Sequence, residues 1–193
     1  MGMTDILRYL GSAKSDDPRL PAMIEEGQEK IAAEMRPLHV AIRFPLSIEG
    51  ERLAIGPLSV ESRNLTKALA GCESVFLFAA TLGAGVDRLI ARHEAVDMPM
   101  ALVLQACAVD AIETYCDETC ESFARVCGAE GLALRPRFSP GYGDFSIQHQ
   151  GEILRLLDAG RRIGLSATDA HMLTPLKSIT AVIGLSPIPT GKE

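Results

Sequence analysis

The chain's 193 residues are 47% hydrophobic and 23% charged, the proportions of a folded globular protein, which exclude a disordered or fibrous one. Nineteen Lys plus Arg against 25 Asp plus Glu leave a formal charge of −6, so no basic field exists to hold nucleic acid. Aromatic residues make up 5% and Trp is absent, so the core must be aliphatic and base-stacking platforms have little material.

Thr4 ahead of Ile-Leu-Arg-Tyr-Leu, with Gly11 closing the segment, predicts a short capped helix. A second helix follows from about Pro21 to Met35, with Ile24, Ile31 and Ala32 at helical spacing, so the chain is helical to about residue 35. From His39 to Ile55 apolar and polar residues alternate, and Glu49-Gly50-Glu51 breaks the alternation as a hairpin turn would. Leu58 to Leu69 predicts a helix with Ser59 as its cap. The nearly all-apolar run from Ser74 to Ala80 predicts a buried central strand, which enters the turn Gly83-Ala84-Gly85 and a helix over Val86 to His93.

The strongest helix is expected from about Pro99 to Val126, with Pro at its start and Gly128 just past its end, and its apolar middle is expected to be buried. After Gly131 the stretch through Phe145 is Pro- and Gly-rich and too irregular for a helix. A helix is expected from about Ile147 to Leu157, a β-branched strand over Lys177 to Gly184, and a frayed tail over 187–193. Strands and helices in mixed order, with one hairpin and no regular βαβ alternation, predict α+β: a mixed or antiparallel sheet, a long buried helix and flanking helices. No linker, repeat or low-complexity tract divides 1–193, which reads as one domain.

The opening residues lack a basic stretch followed by an apolar core and a small-residue cleavage site, and no apolar run reaches about 18 residues. A soluble cytoplasmic protein with no membrane partner is expected. Five Cys at spacings that match no disulfide scaffold fit a reducing compartment.

Gly83-Ala84-Gly85 sits where a dinucleotide fold would place its phosphate loop, but the third Gly of that fingerprint would fall on Arg88, so a structural turn is expected. Cys116 and Cys120 are four apart on one helix, with Cys127 two turns on and no His at matching spacing; buried inert thiols fit better than a metal site. His39, His93, His149 and His171 are scattered, and only His149 lies near a segment of chemical interest. That segment is Arg137-Phe138-Ser139-Pro140-Gly141-Tyr142-Gly143-Asp144. Two Gly flanking a Tyr after a Pro make either a tight surface turn or a loop whose backbone approaches a ligand while the ring is held in one direction. Arg137 at its base suits a carboxylate or phosphate, and Tyr142 offers a stacking face or a hydroxyl. On the long helix Glu113 stands among Ala111, Ile112 and Tyr115, where a carboxylate needs a partner to stay ionised.

Arg-Phe-Ser-Pro-Gly-Tyr-Gly-Asp-Phe, followed by a helix and then Met-Leu-Thr-Pro-Leu-Lys-Ser-Ile-Thr-Ala-Val-Ile-Gly-Leu-Ser, resembles the activation (AdoMet-binding) domain of cobalamin-dependent methionine synthase, and more closely its stand-alone activation-subunit form. The likeness extends through FLFAATLGAGVDRLI, LQACAVDAIETYCDE and the opening ILRYLG. It implies an accessory role. In that family, cobalamin oxidised to cob(II)alamin is rescued by one electron plus a methyl group from S-adenosylmethionine.

Carried over by residue, the resemblance implies that Arg137 pairs with the AdoMet carboxylate and that Ser139 and Gly141 set main-chain groups against the adenine side. Tyr142 would lie between AdoMet and the corrin, and Glu113 would contact the nucleoside or its amino group. Met172, Pro175 and Ser178 would shape the site, with no metal and no catalytic residue on this chain. The implied partners are a cobalamin-carrying methionine synthase subunit and a flavodoxin- or ferredoxin-like electron donor, in a methyltransferase system where this chain is inactive alone. Asp144-Phe145-Ser146 departs from the Pro- and His-containing continuation of the fused form, and neither an acidic residue near the start nor a Tyr-containing extension after the last strand can be placed. Two other readings stay open: a non-catalytic small-molecule sensor on the same fold, and a reactivation factor for another corrinoid methyltransferase.

Overall fold

The computed structural model describes residues 18–188, so the expected helix after Thr4 lies outside the described residues. Helix α1 (Leu20–Glu34) starts with Pro in its first turn and buries Ile24, Gly27 and Ile31. Strand β1 (Leu38–Glu49) turns at Gly50, whose φ of 64° suits Gly, into β2 (Arg52–Ile55). The chain then reverses again into β3 (Leu58–Glu61).

That third strand corrects the expected Leu58–Leu69 helix. Leu58 and Val60 alternate with exposed residues and are buried, completing the outer pairing of the hairpin, so strand periodicity wins over helix propensity. The helix, α2 (Arg63–Ala68), is shorter, and its cap is Ser62, which accepts from Leu65 N, rather than Ser59.

Strand β4 (Ser74–Thr81) leads to α3 (Ala84–Glu94), then to α4 (Met98–Ala129), capped by Asp97, which accepts from Met100 N at 3.2 Å. At 32 residues α4 spans roughly 48 Å. It buries Met100 through Cys116 on its inner side, while its last turns are mostly exposed. Gly128 is inside the helix, not past it; Gly131, with φ 74°, makes the turn into β5 (Leu132–Leu134). Beyond β5 the segment forms no helix before Ile147, as expected.

A 3₁₀ turn (Ile147–His149) runs into α5 (Gln150–Leu156), then come α6 (Ala159–Ile163), a small hairpin of β6 (Ser166–Ala167) and β7 (Leu173–Thr174), and β8 (Ser178–Pro187). Pro187 belongs to β8 and Ile188 N donates to Gly131 O, so the described part of the expected tail is paired.

The main sheet runs β3-β2-β1-β4-β8-β5, antiparallel at every pairing. β1 hands over from β4, which it pairs through Pro45, to β2, which it pairs from Leu46. Helices α1, α3 and α4 cover one face with Phe78, Ala80, Ala181 and Ile183, whereas α2, α5 and α6 cover the other with Val75, Leu77, Ala79 and Val182. Burial on both faces explains why β4 is apolar at nearly every position in a sheet that is antiparallel. The Gly83-Ala84-Gly85 turn is structural, as expected: a Cβ on Gly85 would stand 2.6 Å from Glu34 O, where the start of α3 abuts the end of α1.

Candidate functional site

The segment from Arg137 to Asp144 lies where β8 loses its outer neighbour. Phe138 bridges Val182, and the chain then leaves the sheet edge through a turn in which Tyr142 N donates to Ser139 O at 3.3 Å and Gly141 N to Phe145 O at 2.7 Å. Gly141 (φ 96°) and Gly143 (φ 57°) both adopt left-handed backbone, which gives the flanking Gly residues their reason. The close approach at Gly143 is to Asn64, since a Cβ there would meet Asn64 Nδ2 at 2.1 Å. Asp144 fastens the loop to the start of α2, accepting from Ser62 Oγ, from Arg63 N at 2.9 Å and from Asn64 N at 3.1 Å. These bonds, the Ser62 hydroxyl foremost, hold the Asp144 carboxyl below its ordinary pKa.

So anchored, the loop brings Arg137 across to α4. Its Nη2 donates to Glu113 Oε2 at 2.7 Å and its Nη1 to Asp117 Oδ1 at 2.8 Å, with Cys120 Sγ 3.8 Å from Nη1. Glu113 and Asp117 are one helical turn apart and so face the same guanidinium. Arg137 is 18% exposed, Glu113 33% and Asp117 59%, so the inner pair is the more shielded. Two carboxylates and one guanidinium leave this cluster with a net charge of −1.

The inner pair forms part of the wall of a cavity of about 450 Å³, within the range of about 300–1,000 Å³ common for small-molecule sites. Phe138, Ser139, Pro140 and Tyr142 line it from the loop, Leu173 from β7, Gln150 from α5, and Ser178, Ile179 and Thr180 from β8. A second, shallower hollow of about 610 Å³ holds Asp117 and Cys120, and Arg137 is the partition between the two.

Of the residues singled out in the sequence, the structure brings Glu113, Arg137, Ser139 and Tyr142 to one cavity; Gly141 shapes the turn without lining it. Tyr142 is 69% exposed and projects from the loop as expected. Ser178 lines the cavity and donates to Pro175 O at 2.7 Å, while Met172 is exposed beside Leu173. His149 stacks on Phe145 with centroids 5.6 Å apart and does not line the cavity. Burial pushes the thiols up, Cys107 to about 11 and Cys116 to about 12, which makes both poor nucleophiles. Among the described residues no group of three His, Cys, Asp or Glu is placed to hold a metal ion.

Sequence reasoning missed Asp117 as the second partner of Arg137 and missed Gln150 and Thr180 in the wall. The i, i+4 spacing of Glu113 and Asp117 was a readable signal, as was the shared parity of Ser178 and Thr180 on one strand.

The solved structure of the MetH reactivation domain bound to AdoHcy superimposes on this chain with a TM-score of 0.71, at 16% identity, covering 98% of this chain and 75% of that one. The chain has the reactivation-domain fold. The α+β architecture expected from the order of elements is therefore that of a known fold, reached at low sequence identity. No protein-family model matches the sequence, and no curated protein matches it. Among the described residues no helix is long and apolar enough to cross a membrane.

Proposed function

We propose that this chain binds S-adenosylmethionine in the cavity beside β8 and presents its methyl group to cobalamin carried by a partner methionine synthase subunit. The observation that carries this reading is the Glu113–Arg137 pair, two opposite charges 2.7 Å apart on the wall of one cavity, set on the reactivation-domain fold. A solved domain of this fold is bound to AdoHcy, the demethylated form of that ligand.

The chain's own residues suit the ligand at each end. Arg137 holds the carboxylate in charge-assisted hydrogen bonds, and Glu113 turns to the ammonium as the ligand's carboxylate takes its place on Nη2. Asp117, reached from the outer hollow, keeps the half-buried guanidinium neutralised throughout that exchange. The excess negative charge of the cluster favours a ligand that carries a sulfonium cation. Ser139, on the cavity wall, faces the nucleoside, Gly141 sets the turn that holds the loop there, and the exposed Tyr142 ring at the loop tip meets the partner's corrin face. Bound there, S-adenosylmethionine supplies an electrophilic methyl group, while the electron needed for reactivation comes from a flavodoxin- or ferredoxin-like donor. The chain itself holds and orients.

Calorimetry with S-adenosylmethionine and S-adenosylhomocysteine, with and without a cobalamin-bearing methionine synthase, tests this reading. Saturable binding of both, with reactivation of the partner that depends on this chain, is expected. Absence of binding by either nucleoside, alone or with the partner, overturns it.

A further inference from the structure

The outer edge of β8 is only partly covered. Arg135 N donates to Gly184 O at 2.8 Å, and Phe138 and Val182 exchange both main-chain bonds, at 2.9 and 2.8 Å. These bonds fix the parity: Val182 and Gly184 turn their peptide groups outward, so Thr180, two residues on, does the same. Past Val182 no strand continues along that edge; β5 takes only Leu185–Pro187. The N–H and C=O of Thr180 therefore face the cavity, and no hydrogen bond reaches either from another described residue. Thr180 is 2% exposed, and an unpaired peptide group at such depth is costly unless something bonds it.

Beside this edge stands Gln150, 6% exposed and also lining the cavity. Its Nε2 donates to His171 O at 2.9 Å, and its Oε1 accepts from Thr180 Oγ1 at 2.9 Å. Held at both ends, the amide cannot flip, yet it keeps one N–H and one lone pair uncommitted. No charged side chain lines this end; Leu173 and Ile179 flank it with apolar surface. From Val182, where Phe138 docks next to Arg137, β8 runs four residues to Ser178, a span of roughly 13 Å. The cavity thus has a charged pole and a neutral hydrogen-bonding pole.

We propose that the Thr180 main chain and the Gln150 amide form a donor–acceptor edge that recognises the planar base of a nucleoside ligand, with Gln150 as a specificity-determining residue. This rests on the nucleoside reading above and adds the contacts that select its base. An adenine offers an exocyclic N–H donor next to a ring-nitrogen acceptor, which complements a paired C=O and N–H. A 6-oxo base exchanges the donor for an acceptor and leaves the protein carbonyl facing an oxygen.

The test is calorimetry on the full chain with S-adenosylmethionine, 5′-methylthioadenosine, which lacks the amino-acid end, and 5′-methylthioinosine, which has the 6-oxo base. Wild type is expected to bind 5′-methylthioinosine at least about tenfold more weakly than 5′-methylthioadenosine, the size of one lost hydrogen bond. Gln150→Leu, with folding checked by its melting curve, is expected to weaken S-adenosylmethionine and 5′-methylthioadenosine by the same factor, about tenfold. Thr180→Val, which removes the hydroxyl that orients the amide, gives a smaller loss of the same kind and decides the matter if Gln150→Leu does not fold. If wild type binds S-adenosylmethionine but takes both bases equally, or the folded variants bind 5′-methylthioadenosine as wild type does, the base edge lies elsewhere and only this inference fails. If wild type binds none of the three, the nucleoside reading falls and this inference with it.

Discussion

Arg137 and Glu113 lie 24 positions apart in the chain and meet at 2.7 Å, one from a loop and one from the middle of α4. Neither group is buried outright, yet each removes the other's cost of leaving water. A ligand with both a carboxylate and an ammonium can separate the pair without stranding either charge.

Replacing Arg137 by Ala removes the carboxylate's partner. S-adenosylmethionine binding is expected to weaken by about 1.5–3 kcal/mol, the range for a charge-assisted hydrogen bond, read by calorimetry. Unchanged affinity would make Arg137 a purely structural link between loop and helix.

Tyr142 is expected to matter after binding, because its ring leaves the protein surface at the loop tip. Tyr142→Phe keeps the ring and should preserve both binding and reactivation. Tyr142→Ala should leave S-adenosylmethionine affinity within about threefold, yet slow recovery of the partner's methylated cofactor far more, since a misplacement of about 1 Å can cost roughly a hundredfold. The cofactor's absorption spectrum follows that recovery, and wild-type rates for the Ala variant would remove Tyr142 from the junction.

Gly143→Ala combines a backbone conformation unsuited to a side chain with a Cβ that would meet Asn64. The φ of 57° alone is expected to cost about 1–3 kcal/mol in urea unfolding. Asn64→Ala in the same chain removes the two shortest contacts, to Nδ2 and Cγ, and should recover most of the steric part only, so a double-mutant cycle separates the two. A cycle with no coupling would mean that the loop shifts away from α2.

Acid should loosen the same loop. The Asp144 carboxyl, stabilised by Ser62 Oγ and by the N–H groups of Asn64 and Arg63, titrates below its unfolded value of about 3.9. A depressed folded pKa contributes stability that is present above the unfolded value and is lost as pH falls through the folded one. Thermal melting of wild type and Asp144→Asn should therefore differ most near pH 7, and the gap should close as pH falls below the unfolded value of about 3.9 and through the lower folded one. A gap that persists in acid would show that the charge is irrelevant to the cap.

Much of this architecture could be read before the fold was known. The apolar run of β4 and the long periodicity of α4 are strong signals because burial on both faces, or along one helix side, leaves few polar positions. β3 was misread because Leu58 and Val60 precede a true helix, and four residues are too few to separate a period of 2 from 3.6. The loop around Tyr142 was legible from its Gly and Pro residues, but its anchorage was not: Asp144 reaches α2 across some eighty positions, and sequence spacing carries no trace of that contact. The resemblance pointed to a fold that the superposition bears out. Gln150 escaped notice because its role depends on a vacant strand edge, which exists only after the sheet has been assembled.

Glu113 stands directly after Ile112 and one turn before Cys116 and Asp117, and both Ile112 and Cys116 are sealed in the core. The same α4 backbone thus serves as foundation and as instrument. A substitution that lets the helix roll to relieve crowding at Ile112 swings the carboxylate away from Arg137, although nothing in the cavity has been changed. Recognition and stability share one degree of freedom here, so variation in the core is screened twice, once for folding and once for aim.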